Sequence, residues 1–75
     1  MIARGPSLTE QVRQHIKSLI TEGRFADGRI PPETELAADL GVSRTTVRDA
    51  LSRLEHEGAV VRRQGAGTFV NDAGL

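Results

Sequence analysis

The chain has 75 residues, no cysteine, and ten basic and ten acidic side chains, so its formal net charge is zero. This length allows one small domain, and the lack of cysteine excludes a disulfide framework or a cysteine-based zinc site. No apolar run approaches the roughly 20 residues that cross a bilayer and no stretch resembles a signal peptide, so we expect a cytoplasmic protein without a membrane partner.

The N-terminal third predicts an amphipathic helix over residues 7–22. Ser7 and Glu10 match a capping box, and Gly23 is a typical helix stop. Between them, apolar residues recur at helical spacing: Leu8, Val12, Ile16, Leu19 and Ile20. Residues 1–6 show no such period and are predicted to be a flexible end.

A short connection and a second helix follow. Phe25 is one of only two aromatic residues and is expected to anchor the small core. Residues 29–30 predict a minimal strand, which the Pro31-Pro32 pair ends. Prolines are tolerated at the start of a helix, so the second helix is predicted over 33–40. Its buried stripe consists of Leu36, Ala37 and Leu40.

Gly41 permits a tight turn into a third helix, predicted over 43–57 with Ser43 as its N-cap. Its inward side contains Val47, Ala50, Leu51 and Leu54. Beyond Gly58 the period changes. Residues 59–63 and 68–70 are rich in β-branched side chains and flank a glycine-containing turn at 64–67, which predicts a β-hairpin.

Three helices followed by a hairpin, with a minimal strand between helices one and two, predict an α+β, mainly α, winged helix-turn-helix domain over residues 7–70. We predict that residues 71–75 are a second flexible end. The predicted core consists of apolar residues from every element: Leu8, Val12, Ile16, Leu19, Ile20, Phe25, Ile30, Leu36, Leu40, Val42, Val47, Leu51, Leu54, Val60 and Phe69.

Hydrogen-bond donors are concentrated at the start of the third helix. Arg44 and Arg48 lie one turn apart, so both side chains can reach one groove of DNA. A bidentate contact from arginine to guanine contributes ~1–3 kcal/mol of base discrimination. Thr45 and Thr46 can donate to phosphate or contact a thymine methyl group, and the helix N-terminus at Ser43 offers free N–H groups.

The hairpin predicts a second DNA contact. Gln64 and Gly65 at its tip, with Arg63 before them, can follow a phosphate backbone or enter a minor groove. Glycine allows the main chain to approach a ligand closely. Although the net charge is zero, arginines outnumber acids between Ser43 and Val70, which makes this part of the chain locally basic.

Three alternative interpretations stay open. Arg48 could simply form a surface ion pair with a nearby acid. The neutral charge also suits a winged-helix module that binds another protein. A small enzyme is remote, because neither a catalytic constellation nor a cofactor motif is recognisable. His15 and His56 are isolated, so no metal site is expected.

The chain resembles a known family. The segments D-G-R-I-P-P-E-T-E-L-A, L-G-V-S-R-T-T-V-R-D-A-L-S-R-L-E-H-E-G and R-R-Q-G-A-G-T-F-V look like the N-terminal domain of GntR-type bacterial transcription regulators. The similarity extends from about Leu8 to Val70. It implies a winged helix that binds operator DNA as a dimer and is controlled by a metabolite. It also implies that the full-length regulator continues into a larger effector-binding domain, to which residues 71–75 would be a linker stub.

By this resemblance the recognition helix begins at Ser43, and the arginines of its first turns contact bases and phosphates. The chain departs from the family pattern at three positions. Thr34 replaces an arginine that contacts DNA in part of the family, which leaves at most a hydroxyl–phosphate bond. Pro32 replaces a frequent serine cap, and Ala59 replaces a bulkier aliphatic residue.

We therefore predict sequence-specific binding of double-stranded DNA for transcription regulation. The recognition helix 43–57 would occupy the major groove and the wing tip 64–67 the minor groove. An inverted-repeat operator and a homodimeric full-length regulator are expected, with the isolated domain largely monomeric and without a cofactor. The predicted DNA-binding residues are Ser43, Arg44, Thr45, Thr46, Arg48, Gln64 and Gly65, with weaker contributions from Thr34 and Arg63.

Overall fold

The computed structural model describes residues 6–71, so positions 1–5 and 72–75 of the two predicted flexible ends lie outside the described residues. Helix α1 (Leu8–Thr21) begins where the capping box predicts, because Ser7 Oγ accepts a hydrogen bond of 3.1 Å from the Glu10 N–H. Ser7 itself is extended, with ψ at 165°, so the helix proper starts one residue later than the predicted bound.

The next two helices form the helix-turn-helix. Helix α2 (Glu33–Leu40) has the predicted bounds and ends at Gly41, whose φ of 68° lies in the left-handed region that glycine adopts readily. Helix α3 (Arg44–His56) follows after Ser43, which caps it. The predicted bounds of 43–57 included the two capping residues.

The sheet brings together segments from both halves of the chain. Strand β1 (Arg29–Ile30) pairs with β3 (Gly67–Val70), which also pairs with β2 (Val60–Arg63), giving the antiparallel order β1-β3-β2. The minimal strand is thus confirmed as a member of the wing sheet. Asn71, directly after β3, continues the contact with the residues before β2. Its backbone N–H donates to the Ala59 carbonyl and its Nδ2 to the Gly58 carbonyl, each at 3.0 Å.

One core joins the three helices and the sheet. Its buried side chains are Val12, Ile16, Ile20, Ile30, Leu36, Ala37, Val47, Ala50, Leu51, Leu54, Ala59 and Val60. Phe25, Leu40, Val42 and Val70 are partly buried against them. Ala59 is therefore a core residue in spite of its small size.

The prediction that Leu8 belongs to the core is wrong, because its side chain is 52% exposed. Leu8 is the first helical residue, and side chains on a helix lean toward its N-terminus. It therefore extends past the packed turns of α1 that begin with Val12. The predictions that Leu19 and Phe69 belong to the core are also wrong, because both are only half-buried. Phe69 lies opposite Arg29 and Val61 on the outer face of the sheet.

Candidate nucleic-acid interface

The N-terminal tip of α3 presents a set of exposed donors on a well-capped helix. Ser43 Oγ accepts a hydrogen bond of 3.1 Å from the Thr46 N–H, and the two hydroxyls share a second one of 2.9 Å. Both side chains thus contribute to the cap that fixes the start of the helix. Arg44 and Thr45 are exposed beside it, so they are free to contact a ligand.

Arg48, one turn further along α3, forms an ion pair with α2. Its Nε and Nη2 both donate to Glu33 Oε1, each at 3.2 Å. The ion-pair interpretation of Arg48 therefore describes the free domain, yet the arginine side chain is still 56% exposed. Thr34, next to Glu33 in the first turn of α2, is exposed on the surface as well.

Sequence reasoning missed the role of Glu33 as the partner of Arg48. An acidic residue in the first turn of a helix is already explained by the helix dipole. The two residues are 15 positions apart and on different helices. Only the packing angle between α2 and α3 brings them together, and no local pattern encodes that angle.

The tip of the wing is a tight, exposed turn. Ala66 N–H donates to the Arg63 carbonyl at 2.9 Å, and Gln64 and Gly65 project at the end of the hairpin. Gly65 has a φ of 79°, a conformation that side chains with a Cβ rarely adopt. The structure therefore brings the predicted wing-tip residues together. Strand β3 begins at Gly67, one residue earlier than the predicted strand at 68–70.

Two arginines stack on the outer face of the wing sheet. The guanidinium carbons of Arg29 and Arg63 lie 5.5 and 5.7 Å from the centre of the Phe69 ring. These distances are within the range of cation–π interactions. Arg29 belongs to β1, so a strand that precedes α2 contributes a basic side chain to the wing.

An ion pair links the wing to α3. Arg62 on β2 approaches Glu55 with a distance of 3.6 Å between Nε and Oε1. The tip of α3, with Arg44, and the wing, with Arg29 and Arg63, form two separate basic patches. The Arg62–Glu55 pair connects the elements to which they belong.

The basic side chains of the domain differ in whether they form ion pairs. Six basic side chains within residues 6–71 form ion pairs with carboxylates: Arg13, Lys17, Arg24, Arg48, Arg53 and Arg62. Arg29, Arg44 and Arg63 form none with a described carboxylate, and these three lie on the wing and at the tip of α3. Arginines without a carboxylate partner among residues 6–71 are therefore found on the wing and at the tip of α3.

A network of ion pairs holds α1 against the end of α3. Arg13 donates to both Glu10 and Glu57, at 2.6 and 2.9 Å, and Lys17 donates to Glu57 at 2.6 Å. The hydrogen bond from Arg13, with its positive charge, lowers the pKa of Glu10 from 4.5 to about 2. Lys17 and Arg13 lower the pKa of Glu57 in the same way. Both carboxylates therefore favour the folded domain when ionised.

The described residues offer neither a metal site nor a membrane-spanning helix. His15 and His56 are both exposed. Within residues 6–71, histidine, aspartate and glutamate side chains form no group of three or more that could hold a metal ion. In the same part of the chain, no helix combines the length and apolar character needed to cross a membrane.

Comparison with known proteins gives consistent matches. The family model for bacterial regulatory proteins of the gntR family matches residues 8–70. An uncharacterised HTH-type transcriptional regulator of Rhizobium meliloti is 46% identical over 88% of this chain, and an arabinose metabolism transcriptional repressor of Halalkalibacterium halodurans is 52% identical over 81%. The matched region spans only 28% and 16% of those two proteins.

Among solved structures, the DNA-binding domain of AraR in complex with the operator ORE1 has the same fold, with a TM-score of 0.81 and 36% identity. That match covers 93% of this chain and 89% of the AraR domain. The winged helix-turn-helix architecture predicted from the sequence is thereby confirmed.

Proposed function

The chain belongs to the GntR family of bacterial regulatory proteins, and we propose that it binds double-stranded operator DNA in a sequence-specific manner to regulate transcription. The observation that supports this most directly is the similarity, over nearly the full length of both chains, to a domain solved on its operator. The match of the family model to residues 8–70 confirms the resemblance to GntR-type regulators.

In the proposed complex, α3 enters the major groove with its N-terminal tip first. Arg44 and Thr45 are exposed there and would contact base edges. Arg48 lies one turn behind them and is oriented by Glu33 through Nε and Nη2, so its Nη1 would donate to a base or a phosphate. The cap formed by Ser43 and Thr46 holds the helix start rigid, which limits the entropy lost on binding.

The wing would supply the second contact. Gln64 and Gly65 form the exposed hairpin tip, and Arg63 extends from the adjoining strand. A narrow minor groove attracts such basic, slender segments because of its negative potential. Thr34, in the first turn of α2, would add a weaker hydrogen bond to a phosphate.

The remaining parts of the proposal concern the whole regulator. We expect a homodimer on an inverted repeat, because a two-fold protein matches a two-fold DNA site. The matched relatives are much longer than this chain, which suits a DNA-binding unit of residues 7–70 joined by a linker to an effector-binding domain. We expect no catalysis, no cofactor in this domain, and a cytoplasmic location.

Titration of the labelled chain with duplex DNA, followed by NMR, tests the proposal. Shift changes are expected at residues 43–48 and 63–66, with smaller ones at Thr34. A winged-helix module that binds proteins instead would show no saturable shifts with any duplex. Saturable shifts centred on α1 would also contradict the proposed placement of α3 in the groove.

A further inference from the structure

We propose that Arg29 is a further DNA-contacting residue of the wing, and that Phe69 positions both Arg29 and Arg63 for contact with the phosphate backbone. This inference rests on the proposed function, and it extends the interface to β1, a strand that lies between the first two helices. Three observations carry it: the strand register, the reach of the Arg29 side chain, and the absence of a carboxylate partner for Arg29 within residues 6–71.

The strand register places the three side chains on one face of the sheet. Arg29 and Val61 are both directly opposite Phe69, one on each side of β3. Directly opposite residues point to the same face of an antiparallel pair, and residues two apart on a strand share that face as well. Arg63 therefore lies on the same side as Arg29 and Phe69. Ile30 points the other way, into the core.

The Arg29 side chain runs along this face toward the wing tip. Its Nη2 lies 3.5 Å from the place that a Cβ would occupy on Gly67, two residues closer to the turn than Phe69. Gly67 has a φ of 121°, so this position strongly favours glycine and leaves space for the guanidinium. The head of Arg29 is thus brought to the first residue of β3, next to the turn at 64–66.

The aromatic ring holds both guanidinium groups without neutralising them. An ion pair with a carboxylate would orient an arginine and also cancel its charge. The Phe69 ring orients Arg29 and Arg63 through its negative face, so the full charge of each remains available. Neither forms an ion pair with a carboxylate in residues 6–71, whereas Arg62, on the opposite face of β2, pairs with Glu55.

Phosphate is the ligand that suits this arrangement. Two guanidinium groups with free N–H donors match phosphate oxygens in a bidentate geometry. The pair lies beside the tip proposed to enter a minor groove, whose edges are lined by phosphates. Contacts of this kind position a protein on DNA without reading its sequence.

Arg29→Ala and its matched control Arg24→Ala test the contact. Arg24 is an exposed arginine paired with Glu22, on the connection after α1. Affinity for a selected operator duplex and for a duplex of scrambled sequence is measured over a range of salt. Arg29→Ala is expected to weaken both by about tenfold at low salt and to reduce the salt slope by about 1. Arg24→Ala should change neither. Equal behaviour of the two variants would overturn the assignment of Arg29.

Phe69→Leu tests the positioning role, because it keeps every charge and much of the apolar volume. It is expected to weaken DNA binding in the wild-type background but to have a smaller effect in the Arg29→Ala background, since coupled residues are non-additive. Additive losses would exclude a positioning role of Phe69 toward Arg29. If Phe69→Leu does not fold, Phe69→Tyr, which retains the ring, must bind as the wild type does, and weaker binding would overturn the role.

Arg44→Ala is measured in parallel to separate the two proposals. If it weakens operator binding while Arg29→Ala does not, the proposed function stands and this inference fails. If the unaltered chain binds neither duplex, both fail.

Discussion

One oxygen of Glu33 accepts two hydrogen bonds from Arg48, with Oε1 at 3.2 Å from both Nε and Nη2. The pair joins the first turn of α2 to the arginine of α3 that is proposed to reach the DNA. Its partly exposed position makes it a weak contributor to stability. Its greater effect is on binding, since a carboxylate next to the interface orients Arg48 and repels phosphates.

Glu33→Gln is expected to reduce the ratio of specific to non-specific DNA affinity by about three- to tenfold, a change of ~0.7–1.4 kcal/mol. Removal of the negative charge strengthens binding to the scrambled duplex. On the operator this gain is offset, because Arg48 is no longer oriented by Glu33. Competition titrations with a selected and a scrambled duplex measure the ratio. Glu35→Gln is the control, because Glu35 occupies the same helical turn and forms no ion pair within residues 6–71. An unchanged ratio in Glu33→Gln would show that the pair has no part in discrimination.

Arg44→Ala and Arg48→Ala should each weaken operator binding by ~1–3 kcal/mol and relax the base preference at the contacted positions. The loss reflects bidentate contacts to base edges that alanine cannot make. Selection of bound sequences from a random duplex pool, repeated with each variant, measures both effects. Full wild-type base preference in both variants would contradict the insertion of α3 into the groove.

Operator affinity should fall steeply with salt. The logarithm of the association constant is expected to decline linearly with the logarithm of the salt concentration, by about 0.9 for each phosphate neutralised. Fluorescence anisotropy with a labelled duplex at several salt concentrations gives this slope. An affinity that stays constant between low and moderate salt would favour a protein partner over DNA.

The ion pairs between α1 and α3 predict an acid-sensitive fold. Because the pKa of Glu10 is lowered to about 2 from 4.5, its contribution is present above pH 4.5 and is lost as the pH falls toward 2. Glu10→Gln should therefore lower the Tm at neutral pH, and the difference from wild type should disappear in acid. Thermal unfolding across this pH range measures it. A difference that is constant with pH would mean that the charge of Glu10 is not responsible.

Two leucines provide a matched test of the core. Leu51 is 1% exposed and Leu8 is 52% exposed. Leu51→Ala should reduce the free energy of unfolding by ~2–5 kcal/mol because it leaves a cavity. Leu8→Ala should change it by less than about 0.5 kcal/mol. Denaturant unfolding of both variants makes the comparison, and similar losses would mean that Leu8 is covered in solution.

The elements could be predicted from the sequence because each is marked by a local signal. Ser7 and Ser43 cap their helices, and Gly41 ends α2 in a left-handed conformation. Two runs rich in β-branched residues around a glycine-containing turn predict the hairpin. These signals act within one turn or one strand, so a single sequence carries them. The prediction that Leu8 is buried failed because periodicity identifies only the inward face of a helix. It does not show how far along that face the neighbouring elements extend.

The surface around the predicted site residues could not be derived in the same way. Glu33 next to Arg48, and Arg29 next to Phe69, are contacts between distant segments. The first depends on the angle between α2 and α3. The second depends on the pairing of β1 with β3 across 40 residues, from Arg29 to Phe69. A two-residue strand has no pattern from which its partner could be chosen.

The pairing of six basic side chains with carboxylates has a consequence for how such a protein would find its target. A genome offers roughly 10⁶–10⁹ competing sites, and a uniformly basic domain would spend most of its time on them. Here carboxylates pair with six of the basic side chains, while Arg29, Arg44 and Arg63, on the wing and at the tip of α3, have no such partner within residues 6–71. Background adhesion should then be weak, and occupancy of the operator would depend on the few contacts that a correctly oriented encounter can make.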